Sequence, residues 1–471
     1  MSKNDFQVGS GMKRYAKLCG VFLAAFCTMA TVNSSPIKIA CKAKGREAEL
    51  IEKAAREWEK KQGGRHKVEI ITLPRASNEC LALYLQWLST ETFDVDVFQV
   101  DVAWIDMLAD YLYPLDEFLA AGEWNADDHF DVIRGRIYHD GKIIVLPWYT
   151  DCGMMYYRKD LLEKYNRPVP KSWEELLETA MYIQTEERKD PIKKNRFYGL
   201  GFPAKAFEEL TCSFLELIDS FGGSMMKDGM IVINSPECIE ATKFLVKCFG
   251  SIINRGSVNH SGEEVRGLFQ SGNAVFMRNW PYAWSLMNEP TAEVAGKVGV
   301  MPIPPGGTKG KPSGALGGWF LAVSKYSKHP RLAADLVKYF TDEAQQRIRS
   351  EFSYLPTRKR FYEEANVLEN NPLLGTVYDS LMNAVARPSS VFRRDYIRAS
   401  TEIFNTVNTI ITESVETEGF SEKDIKKYLD RLERKLSKIL EKASVSSAKS
   451  DAGEKSDGLR QKVSEFCGFT K

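Results

Sequence analysis

With 471 residues the chain has length for roughly two or three domains, and its 44% hydrophobic and 27% charged residues are an ordinary globular balance. That balance excludes a disordered chain, a collagen-like repeat and a polytopic membrane protein. The 64 basic and 63 acidic residues leave a formal charge of +1, and no arginine stripe interleaved with aromatics runs along the chain, so nucleic acid is not an expected partner.

The first segment carries Lys13, Arg14 and Lys17, then the apolar run Leu18 to Ala30, then small and polar residues up to Pro36. Basic, apolar and small residues in that order are the pattern of a secretory signal. The run is short for a membrane span, and Met12 followed by KRY would itself make an ordinary start. Residues 1–35 are expected to be removed, with cleavage after Ala30 or near Ser34; an uncleaved N-terminal anchor is the alternative. Bulky Phe26 before Cys27 argues against a lipoprotein. Cys19 and Cys27 would leave with the signal, and Cys41, Cys80, Cys152, Cys212, Cys238, Cys248 and Cys467 remain. An odd number without a CxxC reads as small buried hydrophobes with one optional bridge.

Beyond the signal the pattern predicts a strand over Ile37 to Cys41 and a helix over Glu47 to Lys61 with Leu50, Ile51, Ala54, Ala55 and Trp58 on one face. A strand over Val68 to Leu73, a helix over Asn78 to Ser89, a buried strand over Val95 to Val100 and a helix over Ala103 to Leu112 follow. Strands alternating with helices predict an α/β fold with a parallel sheet, whose ligands bind beyond the carboxyl ends of the strands. Lys44 to Glu47, Arg75 to Ser77 and Asp101 fall on that rim. A second unit begins near Trp148, with a strand at Met154 to Tyr157, a helix capped by Ser172 with Glu175 three residues on, and apolar helices at Leu210 to Phe221 and Ile239 to Phe249. Val298 to Pro305, the strand Trp319 to Val323 and the helix Pro330 to Thr341 return to the first unit. A last helix opens at Ser421 with Asp424, and Ile425, Leu429, Leu432, Leu436 and Ile439 form a stripe expected to dock on the second lobe. The Ser, Lys, Asp and Gly of 444–471 read as a mobile tail.

The searches for catalytic motifs are negative. The histidines are scattered, and HExxH, GxSxG and GxGxxG are absent. Pro305 to Ser313 resembles a phosphate loop, but proline takes both the first glycine position and the slot after the lysine, so a turn between strands is expected. No metal, cofactor or catalytic residue is expected.

Five segments in order carry a resemblance: DVDVFQVDVAWIDMLADYLYPLDEFL (Asp94 to Leu119), LPWYTDCGMMYYRKDLLEKY (Leu146 to Tyr165), FQSGNAVFMRNWPYAW (Phe269 to Trp284), VGVMPIPPGG (Val298 to Gly307) and LGGWFLAVSKYSKHP (Leu316 to Pro330). Together they resemble the family 1 extracellular solute-binding proteins of sugar ABC importers, and within these the trehalose/maltose-binding branch. The resemblance implies a monomeric two-lobed receptor with several crossovers, periplasmic or otherwise extracytoplasmic, that closes on a sugar and presents it to membrane permease subunits. It implies lobe I from 36–147 with 313–356, and lobe II from 148–312 with 357–443.

Carried over residue by residue, the family's ligand contacts fall on Glu47, Asp101, Tyr149, Asp151, Trp280, Tyr282, Gly317, Gly318, Trp319 and Arg387. Such a set suits a sugar, whose hydroxyl rims need carboxylates or Arg and whose C–H faces need aromatic rings. Each residue also has a plain structural reading. Asp101 can cap the following helix, Glu47 can serve the helix dipole, and Tyr149 can pack the hinge. Trp280 and Tyr282 can be core rings, Gly317 to Trp319 a turn before a strand, and Arg387 a solvated charge or the partner of an aspartate. Where the family carries an arginine after the second strand this chain has Ser77 to Leu81, with Arg75 as the available substitute. Lys44, Arg46 and Arg75 keep open a glycerol-phosphate or polyol cargo on the same fold. The cleft carboxylates Glu47, Asp101 and Asp151 raise a third reading, a glycoside hydrolase.

Overall fold

Apolar strands and capped helices sort into two sheets in the computed structural model. It describes residues 35–451 apart from 43–45, 75–76, 93, 121–123, 365–367 and 370–372, with the backbone alone for 78 and 444–451. The expected export signal, Lys44, Arg75, Cys467 and the end of the expected tail lie outside the described residues.

The first sheet begins with β1 (Ile37–Cys41), followed by α1 (Arg46–Lys61), β2 (Val68–Thr72), α2 (Ser77–Ser89) and β3 (Val97–Asp101). In α1, Glu47 and Glu49 occupy the first turn and Lys60 and Lys61 the last, matching the helix dipole at both ends. Its apolar stripe from Leu50 to Trp58 is buried, as its spacing requires. β1 pairs in parallel with β2 and β3. The helix expected over Ala103 to Leu112 is a short α turn, Ile105–Leu108, and a 3-10 turn, Ala109–Tyr111.

β4 (Leu146–Cys152) is still a strand of the first sheet, so the chain changes sheet at Gly153, past the boundary expected at Trp148. Thr150 and Asp151 are held in the first sheet by pairing with Gly318 and Gly317. The second sheet is built from β5 (Met154–Arg158), β6 (Tyr198–Gly201), β7 (Ala274–Asn279) and β8 (Val298–Pro302), in the order β8-β5-β7-β6. Its helices are α3 (Trp173–Glu187), α4 (Glu208–Ser220), α5 (Pro236–Phe249) and α6 (Gly262–Gln270). Ser172 caps α3 by accepting from the Glu175 N–H at 3.2 Å, as expected. The loop resembling a phosphate loop is a turn between strands, and its Lys309 and Lys311 pair with Glu237 and Asp219.

The chain returns through β9 (Leu316–Val323), antiparallel to β3 on one side and β4 on the other, closing the first sheet in the order β2-β1-β3-β9-β4. Helices α7 (Pro330–Phe340) and α8 (Glu343–Ser350) follow, then α9 (Leu373–Met382), α10 (Tyr396–Glu416) and α11 (Glu422–Asp451). The α11 stripe Ile425, Leu429, Leu432, Leu436 and Ile439 is buried, and the helix packs on α10 and α5. α11 runs on to Asp451, into the stretch expected as a tail. Cys41, Cys80, Cys152, Cys212, Cys238 and Cys248 are buried and in no disulfide, so the optional bridge does not form among the described residues.

Candidate functional site

The register of the first sheet aligns one wall of the site. Trp319 pairs with Asp101 on one side and with Tyr149 on the other, and Gly317 pairs with Asp151. Directly paired residues, and those two apart, share a face, so Asp101, Trp319, Tyr149 and Asp151 form one patch where β3 ends. The pairing shifts register after Trp319, beside Gly318, whose φ of +127° suits glycine alone; a Cβ there would stand 2.9 Å from the Tyr149 carbonyl oxygen.

Asp101 does not cap the following helix, whose N-cap is Trp104, but holds the turn before it and pairs with Arg387. Its Oδ1 accepts the Ala103 N–H at 2.8 Å and Arg387 Nη2 at 2.6 Å. Arg387 then reaches Glu208 at the start of α4 with Nη1 at 2.9 Å, so one guanidinium joins the end of β3 to a helix of the second sheet. Glu47 accepts from the Tyr149 hydroxyl at 3.1 Å and from Arg349 Nη2 at 3.3 Å. The Arg349 guanidinium lies 4.1, 4.9 and 4.5 Å from the Trp148, Tyr149 and Tyr354 ring centroids. Tyr149 is thus a packed ring whose hydroxyl also accepts from Gln99 at 3.2 Å.

The second wall comes from the end of β7. Pro281 ends the strand, and Trp280 and Tyr282 project from the irregular backbone, both partly buried. Trp280 Nε1 donates to Glu209 at 3.1 Å, and the Arg278 guanidinium lies 4.2 Å from its ring centroid. The Tyr282 hydroxyl donates to Glu263. A Cβ at Gly317 would stand 2.9 Å from Trp280 Cζ3, so the close approach that glycine permits here is made by the Trp280 ring. Trp319 is 8% exposed, set edge-on to Trp104 at 5.6 Å, with Lys42 Nζ 4.4 Å from its ring. Apart from Tyr282, whose hydroxyl goes to Glu263 on α6, the candidate residues therefore lie along the junction of the two sheets.

Five further residues belong to this junction. Lys42 follows β1, donates to Ser77 Oγ at 2.9 Å, and has its pKa lowered by burial against the pull of Asp101, Glu47 and Glu209. Its signal was a charge directly after a buried strand, the same signal that picked out Asp101. Glu208 and Glu209 open α4, and Arg278 holds Glu216 through Nε at 2.8 Å. Arg349 has no local signal. Burial pushes Glu47 and Glu209 above the usual carboxylate range. Burial, with Glu47 and Asp101 nearby, pushes Asp151 up to about 8. Arg46 pairs with Glu49 at the surface and lies over Phe352, away from this cluster.

Two α/β lobes, meeting at a junction of rings and acids from both sheets, define the class as two-lobed ligand receptors. Residues 44–347 match the bacterial extracellular solute-binding proteins, and the chain belongs to that family. A probable ABC transporter-binding protein of Deinococcus radiodurans is 39% identical over 406 residues, which cover 85% of this chain and 94% of that protein. Maltodextrin-binding protein MdxE of Bacillus subtilis is 27% identical over 49% of this chain and 51% of its own. The solved structure of maltose-bound T. maritima MalE3 superposes with a TM-score of 0.76 at 32% identity, over 86% of this chain and 99% of that one. The glycerophosphocholine complex of UgpB from Mycobacterium tuberculosis superposes at 0.70 with 18% identity, which shows shared fold alone. The chain is thus a solute-binding component of an ABC transporter. Among the described residues no helix is long and apolar enough to cross a membrane.

Proposed function

We propose that this chain captures a saccharide, a disaccharide such as trehalose or maltose, in the cleft between its sheets and delivers it to a membrane permease without altering it. The carrying observation is the close approach of Trp280, from the end of β7, to Gly317 beside Asp151, on the β3, β9 and β4 patch that also carries Trp319 and Asp101. Rings supply faces for sugar C–H surfaces, and carboxylates accept from hydroxyls more strongly than neutral groups do. In this reading Asp101, Glu47, Tyr149 and Asp151 form one wall with Gly317, Gly318 and Trp319. Trp280 and Tyr282 form the other, and Arg387 clasps the two. The lobes follow the two sheets, with the chain passing from the first to the second at Gly153 and returning to the first at β9. A ligand touching both walls binds the closed form more tightly and shifts the population toward it. Residues 1–35 direct export, and the mature chain works outside the cytoplasm.

MalE3, the similar structure at 32% identity, was solved with maltose, which supports the choice of cargo. A thermal-shift screen of uncharged saccharides and phosphorylated polyols tests it: ligand at a hundred times its Kd adds about 2.7 kcal/mol. Stabilisation by trehalose or maltose, with no glucose released on long incubation, is the expected result. Stabilisation by phosphorylated polyols alone, or released glucose, would overturn it.

A further inference from the structure

The chain leaves the first sheet at Gly153 and returns to it through Gly314 and Ala315, and the two crossings touch: the Gly153 N–H donates to the Ala315 carbonyl at 3.3 Å. Glu216, on α4 and 1% exposed, reaches both. Its Oε1 accepts the Ala315 N–H at 3.0 Å, and a Cβ at Gly153 would stand 1.6 Å from that same oxygen. Gly153 is thus held to glycine by the carboxylate lying against it, not by its own backbone angles. Three residues on, Asp219 accepts from Ser313 Oγ at 2.7 Å, so one face of α4 grips the return crossing. The rest of the Glu216 carboxylate is turned toward the site. Oε2 accepts Arg278 Nε at 2.8 Å and Oε1 also accepts Arg278 Nη2. That guanidinium lies 4.2 Å from the centroid of the Trp280 ring, which packs against Gly317. Arg278 Nη1 has no hydrogen bond and faces Glu209 Oε1 at 3.6 Å, the oxygen that accepts the Trp280 indole N–H.

We infer that Glu216 is a positioning residue that couples the two crossings to the Trp280 wall. When the angle between the lobes changes, the carboxylate carries the change to Arg278, and Arg278 sets the tilt of the Trp280 ring. This rests on the cleft between the lobes being the ligand site. The two oxygens of one carboxylate hold an N–H from the return crossing and two from β7, with Gly153 packed against them. A buried two-pronged pair is exacting in its geometry, and a close-packed interior passes displacement on instead of absorbing it. An ion pair that served stability alone would need neither the backbone of a crossing nor a ring over its guanidinium, and apolar side chains of the same size often replace such a pair without loss. If Glu216 loses its charge, Glu209 is the carboxylate left beside Arg278, and Glu209 is also the acceptor of the Trp280 indole. The ring then loses its fixed guanidinium and shares its acceptor.

The test is a double-mutant cycle on the mature chain, with Glu216→Gln and Trp280→Ala made singly and together and titrated by calorimetry with trehalose or maltose, whichever binds wild type more tightly. Glu216→Gln should weaken binding about tenfold where Trp280 is present and less than about twofold where alanine replaces it. Equal losses in the two backgrounds, or no loss in either, overturn the inference and leave Glu216 a residue of stability alone. A second readout needs no ligand. The near-ultraviolet circular-dichroism difference between wild type and Trp280→Phe gives the Trp280 band, and that difference should shrink in the Glu216→Gln background. A difference unchanged in size and shape overturns the inference. Binding of neither sugar by wild type would contradict the saccharide reading, and the spectra then decide the coupling by themselves. If Glu216→Gln does not fold, Glu216→Asp, which keeps the charge and shortens the reach by a methylene, replaces it in both measurements with the same outcomes.

Discussion

Trp280→Ala separates a ring that serves a ligand from a ring that serves the core. In the fold the side chain loses its hydrogen bond to Glu209 at 3.1 Å, the Arg278 guanidinium 4.2 Å from its centroid, and its contact with Gly317. No charge is orphaned, because Glu209 still accepts the Gly262 N–H at 2.7 Å and Arg278 still holds Glu216. The ring is only partly buried, so the cost in stability should be about 2 kcal/mol, below the ~3–5 kcal/mol of a core tryptophan. In binding, loss of a stacking face should cost about 1–3 kcal/mol, or roughly 5- to 150-fold in Kd. Titration calorimetry measures the second quantity and scanning calorimetry of the unliganded protein the first. Trp280→Phe keeps a ring face without the indole N–H and should recover most of the affinity. A loss of stability of about 4 kcal/mol or more, with affinity unchanged in the folded fraction, would refute the reasoning and make Trp280 a core residue.

Arg349→Met should destabilise the protein by about 3–5 kcal/mol in denaturant unfolding, because Glu47 keeps only the Tyr149 hydroxyl as partner. Arg349→Lys should rescue little, since an ammonium does not stack flat among three rings. His129 is buried beside Arg358, and burial lowers its pKa to about 3. The folded value lies below the unfolded one, so stability is lost as pH falls from about 6.5 toward 3, and His129→Gln should flatten that limb of a melting-temperature profile. Leu432→Ala, in the docked stripe of α11, should cost about 2–5 kcal/mol in scanning calorimetry, and an exposed or frayed helix would show almost none.

What the sequence makes legible depends on whether the signal is local. β3 is a fully buried run ending in an acid, so both the strand and Asp101 can be read from it. The α11 stripe repeats at three-four spacing and is buried where expected. An acid just before a helix reads as its cap, but Asp101 holds a turn N–H and Arg387, a partner that lies far along the chain and leaves no local signal. Helix α10 was not foreseen. Its buried face mixes Tyr396, Ala399 and Ser400 with Ile403, Val407 and Ile410, and Ser400 donates to Glu208, so the apolar stripe is interrupted where the helix meets the junction. Arg349 sits in a polar stretch of α8 and gains its role only through rings on β4 and after α8. The missing Cβ of Gly317 leaves room for the Trp280 ring, a partner from the other sheet that no local pattern announces.

A crystal structure of the mature chain with the saccharide that stabilises it most tests the central claim directly. The account predicts sugar density between Trp280 and Trp319, with a hydroxyl within hydrogen-bond distance of the Asp151 carboxylate. Density elsewhere on the molecule, with this junction unchanged, would contradict it.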